Sequence, residues 1–411
     1  MFKKKKYLKV VVALVVLVVL SIILIGATEK KGVEFRVWLF EYDANMLPDY
    51  QVLIDEYMEE NPEVKITFES PGFSEYYEML ITRFQAGDPP ELITLADVWI
   101  KTIDKYLDDW NKYLPKDFGD RFYEGPWNYM SRDGKQFGIP EAISTRGLIY
   151  RPDIFDELNL EPPVTWDDFY NVCKVIKEKR PDISPWGLQG GNADVDLINA
   201  QFYQFMASNG GKIAEDNGEV VVGKSPYRKK NIEALAFMKK MVDDGLTIPD
   251  PVAYNFVGIM DLYTTGRVAM ILNGPWMEFM SKDAGVAFAS RPGPMKSNMA
   301  AAGFVDAFSL YNEAENKEEI AKFVQWLYTD ARRTKWSTEH GMIPCLKVAG
   351  EDKFYDTDTW KMFIGQLDFT FYHPPVENWM KVSMEGVKQI QSCLLGEKTA
   401  EQAIDDWQAA F

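Results

Sequence analysis

From Val33 onward the sequence alternates between short β-branched and aromatic runs and longer amphipathic stretches, and this alternation constrains the fold more than any other feature. Residues 33–40 (VEFRVWLF), 64–68 and 92–95 read as strands, and residues 48–60 and 73–86 between them read as helices. Parallel strands need a crossover of a dozen or more residues, so strands separated by such helices predict βαβ units on a mostly parallel sheet. Ligands of such sheets sit beyond the carboxyl ends of the strands. That rule singles out Glu41, Tyr42 and Asp43 after the first strand, and Asp97 and Trp99 after the third. A second unit follows. Ile139-Pro140 leads into a strand at 147–150, and residues 165–179 form a helix with Thr165 as N-cap and Asp168 completing an imitation of the capping box. Residues 181–191 read as a loop, 200–208 as an aromatic-rich helix, Asn217-Gly218 as a hairpin turn between Ile213 and Val222, and 232–244 as a helix ended by Gly245. At 411 residues the chain has room for two or three domains.

The first 32 residues differ from the rest. Lys3 to Lys6 precede an uncharged apolar run at 10–28, the arrangement of an export signal. The run is also long enough to stay as an anchor across a bilayer of about 30 Å. Ala27 suits a signal peptidase while Ile25 is bulky where a small residue is preferred, and no cysteine follows to take a lipid. The lysines stay on the cytoplasmic side, so the remainder is expected outside. That remainder is strongly acidic, with 38 Lys and Arg against 61 Asp and Glu, within a whole-chain formal charge of −17. Such a surface repels phosphate backbones, which excludes nucleic acid as a partner. With three cysteines (Cys173, Cys345, Cys393) and two histidines (His340, His373), none closely spaced, neither a zinc site nor a disulfide framework is expected. No metal or cofactor is expected.

Gly218 to Ser225 (GEVVVGKS) fits the G-x-x-x-x-G-K-S/T pattern of a phosphate-cradling loop. Three valines fill its variable positions and Pro226 follows directly, so it reads as a hairpin strand instead of a flexible loop entering a helix. The adjacent acids Asp167-Asp168, Asp243-Asp244 and Asp405-Asp406 point in different directions along their helices and cannot flank one glycosidic bond. There is no G-x-S-x-G elbow and no cysteine–histidine nucleophile arrangement; Cys345 reads as a buried structural thiol. The aromatics are more informative, with 12 Trp, 20 Tyr and 25 Phe. Most belong to the core. Tyr42, Trp99, Trp186, Trp276 and Trp379, however, fall in loops or at strand ends, where a flat ring beside acids suits the apolar face and polar rim of a sugar.

Gly266-Arg-Val-Ala-Met-Ile-Leu-Asn-Gly-Pro-Trp276 is similar to a segment of the extracellular solute-binding proteins of ABC sugar importers, the family that includes maltose-binding protein. Phe84 to Leu92, Asp133 to Pro140, Leu148 to Tyr150, Pro163 to Phe169, Gly303 to Leu310 with the helix at 318–329, and Leu395 to Ala403 resemble further stretches of that family in the same order. The resemblance implies an α/β fold of two lobes joined by crossing hinge strands, each lobe a mostly parallel sheet flanked by helices. Residues 1–32 would be signal or anchor, 33–143 with 306–354 the first lobe, and 147–302 with 360–411 the second. Crossings would fall near 143–146 and 303–306, and a third between 350 and 359. The family's sugar-facing positions carry over to Trp276, Trp379 and Tyr203, with Asp306 at the second crossing. Ser144 stands where a crossing-strand acid would be expected, with Arg146 nearby. The resemblance implies a monomeric, extracytoplasmic carrier of a carbohydrate ligand that meets ABC permease subunits and touches the membrane only through its N-terminal segment. Two other readings are open at this level. One is a binder of a non-sugar solute such as a glycerol phosphate, held by Arg146 or Arg291; the other is a glycan-active hydrolase or lyase at the cell surface.

Overall fold

The fully buried strand Leu92–Ala96 (β3) shows how the first half of the molecule is built, because a strand hidden at every position must be covered on both faces. In this computed structural model, which describes residues 32–39, 46–71, 73–191, 201–373, 376 and 379–411, β3 lies beside Val33–Trp38 (β1). In turn β1 pairs in parallel with both Val64–Glu69 (β2) and β3, in the register Val33↔Val64 and Val37↔Leu92. The crossovers are the helices Met46–Glu60 (α1) and Phe73–Ala86 (α2), as the alternation predicts. Asp97–Ile103 (α3) follows β3 without a connecting loop.

The sheet is completed by returning chain. Ile139–Thr145 (β4) and the ten-residue Ala301–Leu310 (β9) pair antiparallel, and β9 also runs antiparallel to β3. Thr370–Phe371 (β10) lies parallel to the start of β9.

The second sheet holds Gly147–Tyr150 (β5), Ser184–Gly187 (β6), Val268–Asn273 (β7) and Ala289–Arg291 (β8), in the order β8, β5, β7, β6. Only β6 and β7 are parallel here, so the second sheet is mixed and not mostly parallel. The reason is that β5, which continues directly from β4, runs antiparallel to both of its neighbours, β7 and β8. Strand β6 lies within the stretch read as a loop; its Pro185 lacks an N–H, and an edge position tolerates that. The helices Trp166–Lys179 (α4), Tyr203–Ser208 (α5), Arg228–Asp243 (α6), Met277–Asp283 (α7), Lys317–Leu327 (α8), Trp379–Leu394 (α9) and Ala400–Ala409 (α10) cover the two sheets. Helix α4 begins with the expected reciprocal cap, Asp168 N donating to Thr165 Oγ1 at 3.1 Å and Thr165 N to Asp168 Oδ2 at 2.9 Å. At 213–222 the Asn217-Gly218 turn forms, with Gly218 at φ +87°, but a single bridge, Ala214↔Val220, replaces the expected strand pair.

Two large apolar cores result. One is built from chain between Phe35 and Ile143 and again between Val305 and Phe363; the other runs between Leu148 and Leu272 and again between Val376 and Trp407. The chain therefore changes core at β4 to β5, at β9, and a third time between residues 363 and 376 rather than between 350 and 359, since Tyr355, Trp360 and Phe363 remain in the first core. All three cysteines are buried and free, Cys345 in the first core and Cys173 and Cys393 in the second. Burial pushes the Cys345 thiol up to about 12. The apolar run at 10–28 lies outside the described residues, and among those described no helix is long and apolar enough to cross a membrane.

Strand β4 is fastened to the first core by a buried polar cluster. Glu141 accepts from the Tyr50 hydroxyl and lies 3.6 Å from the Arg333 guanidinium, which also donates to the Glu141 carbonyl. Cys345 Sγ donates to the same carbonyl at 3.1 Å. Removing one partner strands a buried charge. Arg333→Met is therefore expected to lower the free energy of unfolding by about 3–5 kcal/mol in urea titrations, with the slope against denaturant unchanged.

Candidate functional site

Where the crossing strands leave the first lobe, their register brings distant residues together. On β9, Asp306 sits opposite Ala96 of β3 and Ala142 of β4, while Phe304 sits opposite Ser144. A register shift between Asp306 and Ala307 marks the point where β9 bends away. Just past β4, Arg146 is tied down by its own N–H, which donates to Ala302 O at 3.0 Å, and by Nη1, which donates to Ser144 Oγ at 3.2 Å. Its guanidinium carbon stands 4.2 Å from the ring centre of Phe304, 4.9 Å from Trp276 and 5.3 Å from Phe256. A buried cation enclosed by three aromatic faces joins a crossing strand to the second lobe, since Trp276 and Phe256 belong to the latter.

Trp276 reaches this position through the Gly274-Pro275 turn after β7. A Cβ on Gly274 would lie 2.1 Å from the Trp276 indole, so the ring folds back over a residue that has no side chain. The turn is also held by Gly274 N donating to Asn273 Oδ1 at 2.8 Å.

Phe304 also borders a second group. Asp97, at the start of α3, accepts from Val98 N at 2.7 Å through Oδ1 and contacts Nδ1 of His373 at 2.9 Å through Oδ2. The His373 ring meets Phe304 edge to face at 5.5 Å and Trp379 at 5.3 Å. Tyr203, the first residue of α5, is buried against Phe371 at 4.4 Å, and Phe371 pairs with Ala302. Tyr129 donates to the His373 carbonyl at 2.9 Å and stacks on Tyr372. Burial raises the Tyr129, Tyr203 and Tyr372 phenols above their ordinary value, so they remain neutral donors.

Of the residues expected at the site, Asp97, Ser144, Arg146, Asp306, Trp276, Trp379 and Tyr203 thus gather around the crossing strands. Trp99 is placed differently. It stacks on Tyr76 at 5.9 Å and lies against Tyr77, inside the first core, because α3 starts directly at Asp97 and turns position 99 toward α2. Glu41, Tyr42 and Asp43 lie outside the described residues. Arg291, the other cation considered for an anion, donates to Pro162 O at the far side of β8. Phe256, Phe304 and His373 did not emerge from the sequence. A buried histidine directly before Pro374-Pro375 was the available signal for the last of them. Among the described residues no group of histidine, cysteine and acidic side chains could hold a metal ion.

Two sheets bridged by crossing strands, with aromatic and charged side chains from both gathered at the bridge, define a two-lobed solute binder. The profile of the bacterial extracellular solute-binding proteins matches residues 43–333, and the chain belongs to that family. It is 28% identical over 355 residues to the maltotriose-binding protein of Pyrococcus abyssi, covering 84% of this chain and 74% of that one. It is 21% identical over 390 residues to the galactooligosaccharide-binding protein of Bacillus subtilis, covering 92% and 88%. Its fold superposes with a TM-score of 0.80 on an ABC transporter solute-binding protein of Thermotoga lettingae crystallised with α-D-tagatose, at 22% identity over 92% of this chain and 98% of that one.

The Gly274 contact is directly testable. Gly274→Ala must displace the Trp276 ring from Arg146 and Phe256, and overpacking of this kind costs about 1–3 kcal/mol. A lowered midpoint of thermal unfolding is expected, together with a changed near-ultraviolet circular dichroism spectrum from the moved indole.

Proposed function

We propose that this chain captures a sugar or oligosaccharide in the cleft between its two lobes and delivers it to the permease subunits of an ABC transporter, without covalent chemistry. The observation that carries the reading is the convergence of Trp276 and Phe256 from the second lobe with Phe304 and Arg146 at the crossing strands. Flat rings beside charged and amide groups match the two faces of a pyranose: C–H groups stack, and hydroxyls take the polar partners. Family membership and the oligosaccharides named for the relatives support the same class of ligand.

Binding draws the lobes together about the crossings, because ligand contacts made by both lobes exist only in the closed arrangement. The acidic chain beyond residue 32 works outside the cytoplasm as a monomer. The apolar segment at 10–28 serves as its export signal, or as an anchor if it is kept. Fractionation of cells producing the full chain should place it outside the cytoplasmic membrane.

A panel of mono- and oligosaccharides at a hundredfold excess over Kd should stabilise the protein by about 2.7 kcal/mol, seen as a thermal shift. No cleavage products should appear; products would turn the reading toward a glycan-active enzyme. In calorimetry with a sugar that shifts the wild type, Trp276→Ala should bind at least about tenfold more weakly. Equal binding by wild type and variant would remove Trp276 from the site.

A further inference from the structure

We propose that His373 reads the ligand directly, with Nε2 accepting a hydrogen bond from a carbohydrate hydroxyl, and that Asp97 is the positioning residue that fixes the ring for this task. The inference rests on the carbohydrate reading and adds a contact to it.

The argument begins with what each group can do. A carboxylate only accepts, so the 2.9 Å contact with Asp97 Oδ2 makes Nδ1 an N–H donor and, in the neutral ring, leaves Nε2, on the opposite side, as a lone-pair acceptor. Asp97 is itself held, since its other oxygen accepts from Val98 N at 2.7 Å. The ring cannot turn away easily, because Phe304 and Trp379 flank it and Tyr129 holds its backbone carbonyl.

Nε2 is buried with His373 only 4% exposed, yet among the described residues it has no hydrogen-bond partner. An orphaned acceptor of this kind is costly, and native structures keep few of them without a reason. Trp379, whose ring centre lies 5.3 Å from that of His373, carries an indole Nε1–H that is buried and also lacks a partner among the described residues. A hydroxyl both donates and accepts. It is therefore the ligand group that can satisfy an imidazole acceptor and the indole donor of the adjoining ring alike. A carboxylate or phosphate oxygen has no proton to give the Nε2 of a neutral ring, so in that form this corner selects for hydroxyl-bearing solutes.

The test separates the two ends of the ring. Asparagine at 373 retains an N–H near the position of Nδ1 and so keeps Asp97 satisfied, but it has nothing at Nε2; glutamine reaches the Nε2 position. By calorimetry, with glucose, maltotriose and galactotriose as probes, His373→Asn is expected to bind the sugar taken up by the wild type roughly 5- to 150-fold more weakly. His373→Gln should recover part of that loss. Wild-type affinity in His373→Asn would overturn the inference alone, because a purely structural link to Asp97 survives that change. A wild type that binds none of the probes overturns the carbohydrate reading and this inference with it.

A measurement on the wild type guards against a variant that fails to fold. The chain has only two histidines, so isotope-labelled histidine gives resonances from His340 and His373 alone. On saturation with sugar the Nε2 resonance of His373 should move while those of His340 stay; an unmoved His373 would sink the assignment.

Discussion

The structure depends on the pairing of β9 with its neighbours. One strand of ten residues is antiparallel to β3 in the first sheet and to the crossing strand β4, and it carries β10 along its start. Close approach makes this possible. A Cβ at Gly303 would lie 2.0 Å from Thr370 Cγ2, and one at Gly138 would lie 2.7 Å from the Cβ of Ala307. Both positions are glycine because backbone and side chain pass where a methyl group would stand. Since β4, β9 and β10 all lie where the chain changes core, the crossings and the candidate site share the same residues.

Two buried polar clusters sit at this junction and do different work. Glu141, Arg333 and Tyr50 hold one another inside the first lobe and tie down the strand that leads out of it, with Glu141 Oε2 and Arg333 Nε left without a partner among the described residues. Asp97 and His373 satisfy each other on one side only. A buried polar network with an unpaired atom is raised in energy until something supplies the missing partner. The first cluster lies within one core, whereas His373 stands between Phe304 of the crossing strand and Trp379 of the second core.

Local pattern and long-range pairing were unequally legible in the sequence. The helices α1, α2 and α4 and the strands β1, β2 and β3 follow from periodicity, and the Thr165 cap from side-chain chemistry, because each depends on residues a few positions apart. Strand β6 was read as a loop since Ser-Pro-Trp-Gly has no alternation; its strand character comes from β7 alongside, over eighty residues away. The third change of core was placed too early because Tyr355 and Trp360 are aromatic like the residues of either lobe, and only packing assigns them to the first. At the site, Trp276 and Arg146 were visible through motif and position. Phe304 and Phe256 looked like ordinary core residues, and Trp99 looked like a strand-end ligand residue until α3 turned it inward. His373 carried no motif at all, and its partner Asp97 is 276 residues away.

The three free, buried thiols have a consequence for where such a chain can fold. Exported proteins often rely on cystine formation, which ties their maturation to an oxidant and to exchange catalysts. Here the sulfur atoms contribute only packing, and both lobes reach their final form without any electron transfer. Forming this fold therefore consumes no oxidant, whatever the redox state of its surroundings.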